Sequence, residues 1–142
     1  MRIRALLLAM LAGLAAAAPA AAQFRDAAER ESALVSLARI FGEMHHIRRL
    51  CGDGDEDDIW RERMKRVIEL EAPSFEQRER MVLAFNDGFM SAQARFDACT
   101  AEAEYYAAGR AATGEALVSN IAAATREAAI GERDESVALY PR

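Results

Sequence analysis

The sequence predicts an all-α protein: a small antiparallel bundle of three to four helices, held by one disulfide and preceded by a signal peptide. Of the 142 residues, 52% are hydrophobic and only 7% aromatic, and there are three prolines. Abundant alanine and scarce proline favour helix. After the leader, apolar residues recur three and four positions apart, which is the spacing of one helix face. This length suits one domain.

The first 22 residues have the organisation of a secretory signal peptide. Arg2 and Arg4 form the charged start, residues 5–14 the apolar middle, and residues 20–22 a small-residue cleavage site. We therefore expect a mature periplasmic chain that begins at Gln23. An uncleaved membrane anchor is the alternative, but the alanine-rich second half falls short of the roughly 20 strongly apolar residues that a span prefers. We expect no stable membrane insertion after cleavage.

The charge of the mature chain restricts its partners. Without Arg2 and Arg4, 16 basic residues stand against 23 acidic ones, which gives a net charge of −7. An acidic protein is poorly suited to bind nucleic acid or anionic lipid. The expected partner is an unknown envelope protein or peptide, and the oligomeric state stays open.

The two cysteines, Cys51 and Cys99, are predicted to form a disulfide, because an oxidising compartment favours pairing and only one intramolecular connectivity exists. Closing a loop of about 49 residues should stabilise the fold by about 4 kcal/mol in the chain-entropy model.

The predicted first helix covers residues 26–51 and ends at Gly52, a typical helix-stop residue. Gly42 inside it costs about 1 kcal/mol relative to alanine, unless close packing needs the absent side chain. The second helix covers residues 56–71, and Ala72-Pro73 ends it.

Ser74 and Gln77 form an S-x-x-Q capping box that opens the third helix. Its apolar positions alternate three and four apart and are Val82, Phe85, Phe89, Ala92, Phe96, Cys99, Ala103 and Tyr106. A fourth segment, residues 116–130, is predicted either as a return helix or as a continuation of the third, with Gly109 and Gly114 as the candidate interruptions. The predicted domains are the signal peptide 1–22, the helical bundle 23–130 and a flexible tail 131–142.

The disulfide also suggests an alignment of the first and third helices. From Ala27 to Cys51 and from Phe75 to Cys99 are both 24 residues. If the two helices are parallel and start level, both cysteines lie about 36 Å along the bundle. The spacing places each cysteine at a core position of its helix.

The candidate binding site lies at the end of the first helix. Leu34, Leu37, Phe41 and Met44 form its core stripe, and the same spacing continues to Arg48 and Cys51, with His45 beside the stripe and His46 directed elsewhere. A guanidinium at a core position must find a partner or reach water. One interpretation is a polar pocket of His45, Arg48 and residues of the third helix. The other is a structural histidine with an arginine that extends to solvent.

The partners that we predict for this pocket lie on the third helix, beside its apolar stripe. They are Asn86, Gln93 and Thr100, seven apart, with Asp87 and Asp97 nearby. Gln93 or Asp97 is preferred for Arg48, because both lie near the level of Cys99.

The acidic run from Asp53 to Asp58 supports a metal-binding alternative that also uses His45 and His46. Asp53, Asp55 and Asp57 match the first ligand spacings of a calcium loop, but Asp58 and Met64 replace the glycine and glutamate that the loop requires. Acidic residues in the first turn of the second helix, with Asp55 as its cap, explain the same run.

No nucleophile with a base and an orienting group, no G-x-S-x-G, no C-x-x-C and no glycine-rich phosphate loop is found in the sequence. We therefore predict a non-enzymatic protein without a cofactor: an interaction or scaffold module, or a small envelope chaperone.

The segment His45-His-Ile-Arg-Arg-Leu-Cys51 resembles an uncharacterised family of small exported alphaproteobacterial proteins with an H-x-L-R-x-L-C-like motif. Ile47 replaces the leucine, and the region of Phe85 and Asn86 and Cys99 are compatible with the family. The resemblance covers essentially the whole mature chain. It implies a domain of unknown function, with no known activity, cofactor or partner.

Overall fold

The structure is a computed structural model that describes residues 18–52 and 58–139. These residues form four helices and no strand: α1 (Ala18–Cys51), α2 (Ile59–Glu71), α3 (Phe75–Arg95) and α4 (Ala101–Leu139). The chain divides into two compact units, residues 1–31 and residues 32–142, and the bundle is the second unit. The predicted all-α bundle is confirmed. Most of the predicted signal peptide, residues 1–17, lies outside the described residues.

The helices alternate in direction. α2 runs antiparallel to α1. Trp60 at the start of α2 contacts Phe41, with ring centroids 5.6 Å apart, and Met64, one turn later, belongs to the core cluster that includes the earlier α1 residues Leu34 and Ala38. α4 also runs antiparallel to α1, because Gly114 lies beside Ile40 while earlier residues of α4 contact later residues of α1.

Helices α1 and α3 are parallel. Arg39 of α1 hydrogen-bonds Ser91 of α3 at 3.1 Å, and Cys51, at the end of α1, is bonded to Cys99, just past the end of α3. The predicted parallel alignment agrees with these contacts, and the disulfide is confirmed, with Cα atoms 5.0 Å apart.

Two apolar clusters form the core. The larger cluster lies between α1, α2 and α3 and contains Leu34, Ala38, Met64, Met81 and Phe85. The smaller cluster lies next to the disulfide and contains Ile47, Phe96 and Ala103, with Leu50, Cys51, Tyr106 and Ala107 packed against it. In both clusters α1 supplies residues that contact the other helices, so α1 is the central helix of the bundle.

Two glycines allow α1 and α3 to approach closely. A Cβ atom added at Gly42 would overlap the carbonyl oxygen of Phe85 and lie 2.9 Å from the amide nitrogen of Phe89. A Cβ atom added at Gly88 would overlap the carbonyl oxygen of Arg39. The close packing that could justify Gly42 inside a helix is therefore present.

Several helix ends agree with the sequence. α1 ends at Cys51, and the amide of Gly52 hydrogen-bonds the carbonyl of Arg48 at 2.7 Å. The Ser74 hydroxyl accepts a hydrogen bond from the Gln77 amide at 3.2 Å, which confirms the predicted cap of α3. α2 begins at Ile59, three residues after the predicted start, and residues 53–57 lie outside the described part of the chain.

The predicted course of the third helix beyond Arg95 is wrong. α3 ends there, Phe96 adopts an extended backbone, and α4 begins at Ala101, with the Thr100 hydroxyl accepting from the Ala103 amide at 3.2 Å. Cys99 therefore lies in an exposed connector and not at a core position of a helix.

The fourth segment is a separate return helix that starts 15 residues before the predicted Ala116. α4 continues through Gly109 and Gly114, the two candidate interruptions, to Leu139, so it also includes most of the segment predicted as a tail. None of the helices in the described ranges has the combination of length and apolar character that a membrane span requires.

Candidate functional site

His45 is enclosed in the bundle. Its side chain is 1% exposed, and its ring lies 5.7 Å from the ring of Phe85 and 5.6 Å from that of Phe89. This closed position favours the structural interpretation of His45. The side chain does not line an open pocket on the bundle surface.

His46 is also buried, although the sequence pattern directed it elsewhere. Its Nε2–H donates to the carbonyl oxygen of Phe96 at 2.8 Å, and its ring meets Phe89 edge to face at 5.4 Å. The prediction failed because α1 is covered on several sides, so residues beside the core stripe are buried too. This hydrogen bond holds Phe96, the first residue after the end of α3.

An open cleft of about 220 Å³ lies between the end of α1 and the C-terminal half of α3. It is lined by His46, Arg49, Leu50, Phe89 and Gln93. Of the residues that we predicted for a binding site, Gln93 alone is in this lining. Arg48 is half-buried in the last turn of α1, and Asn86 and Asp97 are exposed.

Arg49 gives the cleft its charge. Its side chain is exposed, and no described residue forms an ion pair with it. Leu50 and Phe89 supply apolar surface, and the Gln93 amide can both donate and accept hydrogen bonds. The cleft can therefore accept a carboxylate that is attached to an apolar group.

A buried carboxylate that the sequence analysis missed lies between α1 and α4. Glu43 is 4% exposed and is ion-paired with Arg110 of α4 and, at 3.5 Å, with Arg39 one turn earlier in α1. Arg39 also pairs with Asp87 of α3. Two arginines compensate the buried charge, and their contacts connect three helices.

Tyr106 lies beside this network, near the Glu43 carboxylate and the Arg110 guanidinium. Burial raises the pKa of Tyr106 above its ordinary value of 10.0, the neighbouring Glu43 carboxylate raises it further, and the positive charges of Arg110 and Arg95 act in the opposite direction. The signal in the sequence that could have revealed the network is Glu43 itself, an acidic residue between the core-stripe residues Phe41 and Met44.

The described residues provide no group of three or more His, Cys, Asp and Glu side chains that could hold a metal ion. Residues 53–57, which carry most of the acidic run, lie outside the description, so the metal-binding alternative stays a prediction. His45 is enclosed by phenylalanine rings, and the Nε2–H of His46 is bound to a backbone carbonyl.

The described residues thus form a disulfide-bonded four-helix bundle with alternating helix directions, and the cleft lies at the end of α1. The chain belongs to the family described as protein of unknown function (DUF2385), whose match spans residues 30–125 and thus includes all of α2 and α3. This confirms the resemblance to a domain of unknown function, while the alphaproteobacterial origin and the short motif stay predictions. Comparison with curated proteins found no match, and comparison with solved structures found none either.

Proposed function

We propose that the protein is an exported, non-enzymatic interaction module of the periplasm that binds a segment of an envelope protein or peptide. The disulfide between Cys51 and Cys99 supports the compartment, because such bonds persist where the environment is oxidising. A scaffold or a small chaperone would use the same kind of site.

The observation that carries this proposal is the cleft at the end of α1. Its lining combines one exposed arginine, Arg49, with the apolar surface of Leu50 and Phe89. Guanidinium groups bind carboxylates through paired hydrogen bonds, and adjacent apolar surface adds affinity when it is covered. The expected ligand is an acidic residue, or a C-terminal carboxylate, next to an apolar side chain.

The composition of the cleft supports binding over catalysis. Among the described residues that line the cleft there is no serine, cysteine, threonine, lysine or carboxylate that could act as a nucleophile beside a base. The cleft also offers a cation on a mature chain whose expected net charge is −7, which gives an acidic ligand a favourable place to bind.

The test is site-specific photocrosslinking in intact cells. A photoreactive amino acid at position 93 should form an adduct of defined mass with an envelope protein or peptide. Arg49→Glu should reduce this adduct at least about tenfold, because it replaces attraction of the ligand carboxylate with repulsion.

The matched control is Arg66→Glu, which makes the same charge reversal on α2 in an exposed residue paired with Glu69. It should leave the adduct unchanged. No adduct at position 93, or equal losses in both variants, would contradict the proposed function. A crosslink between two copies of the chain is recognised by its mass and is not counted.

A further inference from the structure

Helix α3 carries a second apolar face that points away from the core. Its exposed apolar side chains are Phe75 (81% exposed), Val82 (39%), Leu83 (64%) and Met90 (66%). At 100° per residue these four fall within about 100° of the helix circumference. We call them the outer stripe.

The outer stripe is separate from the face that α3 uses in the bundle. That buried face consists of Gln77, Met81, Phe85, Gly88 and Ala92. On the helix circumference, the centre of the outer stripe lies about 150° from the centre of the buried face. Single exposed apolar residues are ordinary, whereas four that share one face of a helix leave a partly apolar surface that a partner could cover.

The geometry points to a second copy of this chain as the occupant, packed antiparallel so that the two outer stripes meet about a two-fold axis. The order of the residues carries this inference. Val82 and Leu83 flank the midpoint of the stripe, and Phe75 precedes that midpoint by the same distance as Met90 follows it. In an antiparallel pair Val82 therefore faces Leu83 of the other copy, and Phe75 faces Met90.

The polar residues within the stripe select the same orientation. Glu79 and Asn86, both in α3, are also equidistant from the midpoint. An antiparallel pair places each Glu79 carboxylate opposite an Asn86 amide, which can donate a hydrogen bond to it. A parallel pair in register would place the two carboxylates of Glu79 against each other, which is unfavourable. A two-fold contact requires a self-complementary surface, and this surface is self-complementary in one direction only.

The size of the stripe sets the strength of the association. From Phe75 to Met90 is about 22 Å along α3, and a helix is about 10 Å wide, which gives roughly 220 Å² per copy against the roughly 800 Å² of a standard interface. We therefore expect a weak, transient dimer, to be sought at concentrations from about 1 µM to a few hundred µM.

Sedimentation velocity of the oxidised protein over this concentration range tests the association. Val82→Glu should raise the dissociation constant at least about tenfold, because it places a carboxylate at the centre of the apolar contact. Val118→Glu is the matched control: Val118 is an exposed valine on α4, and the change should leave the dimer intact. A chain that stays monomeric at a few hundred µM, or equal effects of the two variants, would overturn the inference.

Crosslinking tests the antiparallel register independently of any change in stability. A mixture of Glu79→Cys and Asn86→Cys chains, treated with a short bismaleimide, should give several-fold more crosslinked dimer than either chain alone. Both sites are exposed, so the variants should fold, and circular dichroism checks this. Stronger crosslinking of Glu79→Cys with itself would indicate a parallel pair and refute the proposed packing.

Discussion

At the scale of single residues, the close approach of α1 and α3 depends on two glycines, Gly42 and Gly88. Gly42 and Gly88 lie on facing sides of α1 and α3, and at each position a Cβ atom would overlap a backbone carbonyl of the other helix. Glycine in a helix interior costs about 1 kcal/mol relative to alanine. Here that cost is offset by contacts that larger residues would prevent.

Gly42→Ala should therefore destabilise the protein by about 3 kcal/mol, because the atoms it meets are backbone atoms that cannot rotate aside. Urea unfolding followed by circular dichroism measures the change. Gly109→Ala is the control: nothing lies within 4 Å of a Cβ atom there, and the higher helix propensity of alanine should stabilise the protein by about 0.5–1 kcal/mol. Equal midpoints for Gly42→Ala and the unmodified protein would contradict the close crossing.

The network around Glu43 makes a prediction at alkaline pH. The pKa of Tyr106 is raised by burial and then by Glu43, so the folded state favours the protonated phenol. This contribution to stability is fully present below the unfolded pKa of about 10 and is lost as pH rises through the higher folded pKa.

Absorbance titration of the phenolates measures the effect. Tyr106→Phe should remove the component that titrates above the ordinary range, and Glu43→Gln should shift it downwards because the neighbouring negative charge is gone. Glu104→Gln, an exposed change two residues from Tyr106, should leave it in place. If Glu43→Gln left the titration unchanged, the assigned contact between Glu43 and Tyr106 would be wrong.

At the scale of helices, the start of α3 and the start of α4 show what the sequence could reveal. Ser74 and Gln77 form a cap within four residues, so the start of α3 could be predicted from local sequence alone. The break after Arg95 was missed because Phe96 and Ala103 keep the helical spacing on both sides of it. Both stay in one core cluster while the backbone between them leaves the helix.

Local information at that break was nevertheless present. Thr100 caps α4 as Ser74 caps α3, but a threonine inside an unbroken apolar repeat gave no reason to end the helix. The contact between His46 and the Phe96 carbonyl comes from residues 50 positions apart. No local pattern could have predicted it.

Ser74→Ala should cost about 1 kcal/mol of stability, because the Gln77 amide loses its acceptor at the first turn of α3. Thermal unfolding compares it with Ser36→Ala. The Ser36 hydroxyl donates to the Ser32 carbonyl within a continuous helix, where it caps nothing, so its loss should be neutral or slightly stabilising. Similar losses in the two variants would argue against a specific role of the cap.

At the scale of the whole molecule, the direction of the helices was predictable and the site was not. The equal lengths from Ala27 to Cys51 and from Phe75 to Cys99 were compatible with parallel α1 and α3, although the second interval is not all helix because α3 ends at Arg95. The disulfide between distant residues made that alignment testable. The spacing of His45 and Arg48 showed that they lie near the core stripe, but not which neighbours cover them. Burial of His45 and the ion pairs of Glu43 depend on α3 and α4 together.

The disulfide connects this fold to its predicted compartment, because the same chain should differ in stability on the two sides of the inner membrane. Removal of residues 2–22 should retain the chain in the cytoplasm, where thiols stay reduced. The exported chain should begin at Gln23 and resist maleimide labelling, whereas the retained chain should label at Cys51 and Cys99.

The retained chain should also unfold with a free energy lower by about 4 kcal/mol, since the cross-link restricts a loop of 48 positions in the unfolded state. Urea unfolding of both preparations under non-reducing conditions measures this difference. The Cys51→Ser/Cys99→Ser variant separates oxidation from compartment: its exported and retained forms should have equal stability. An exported chain with two reactive thiols, or an unprocessed chain that begins at Met1, would contradict the predicted export. Equal stability of the oxidised and reduced chains would instead show that helix packing alone aligns α1 with α3.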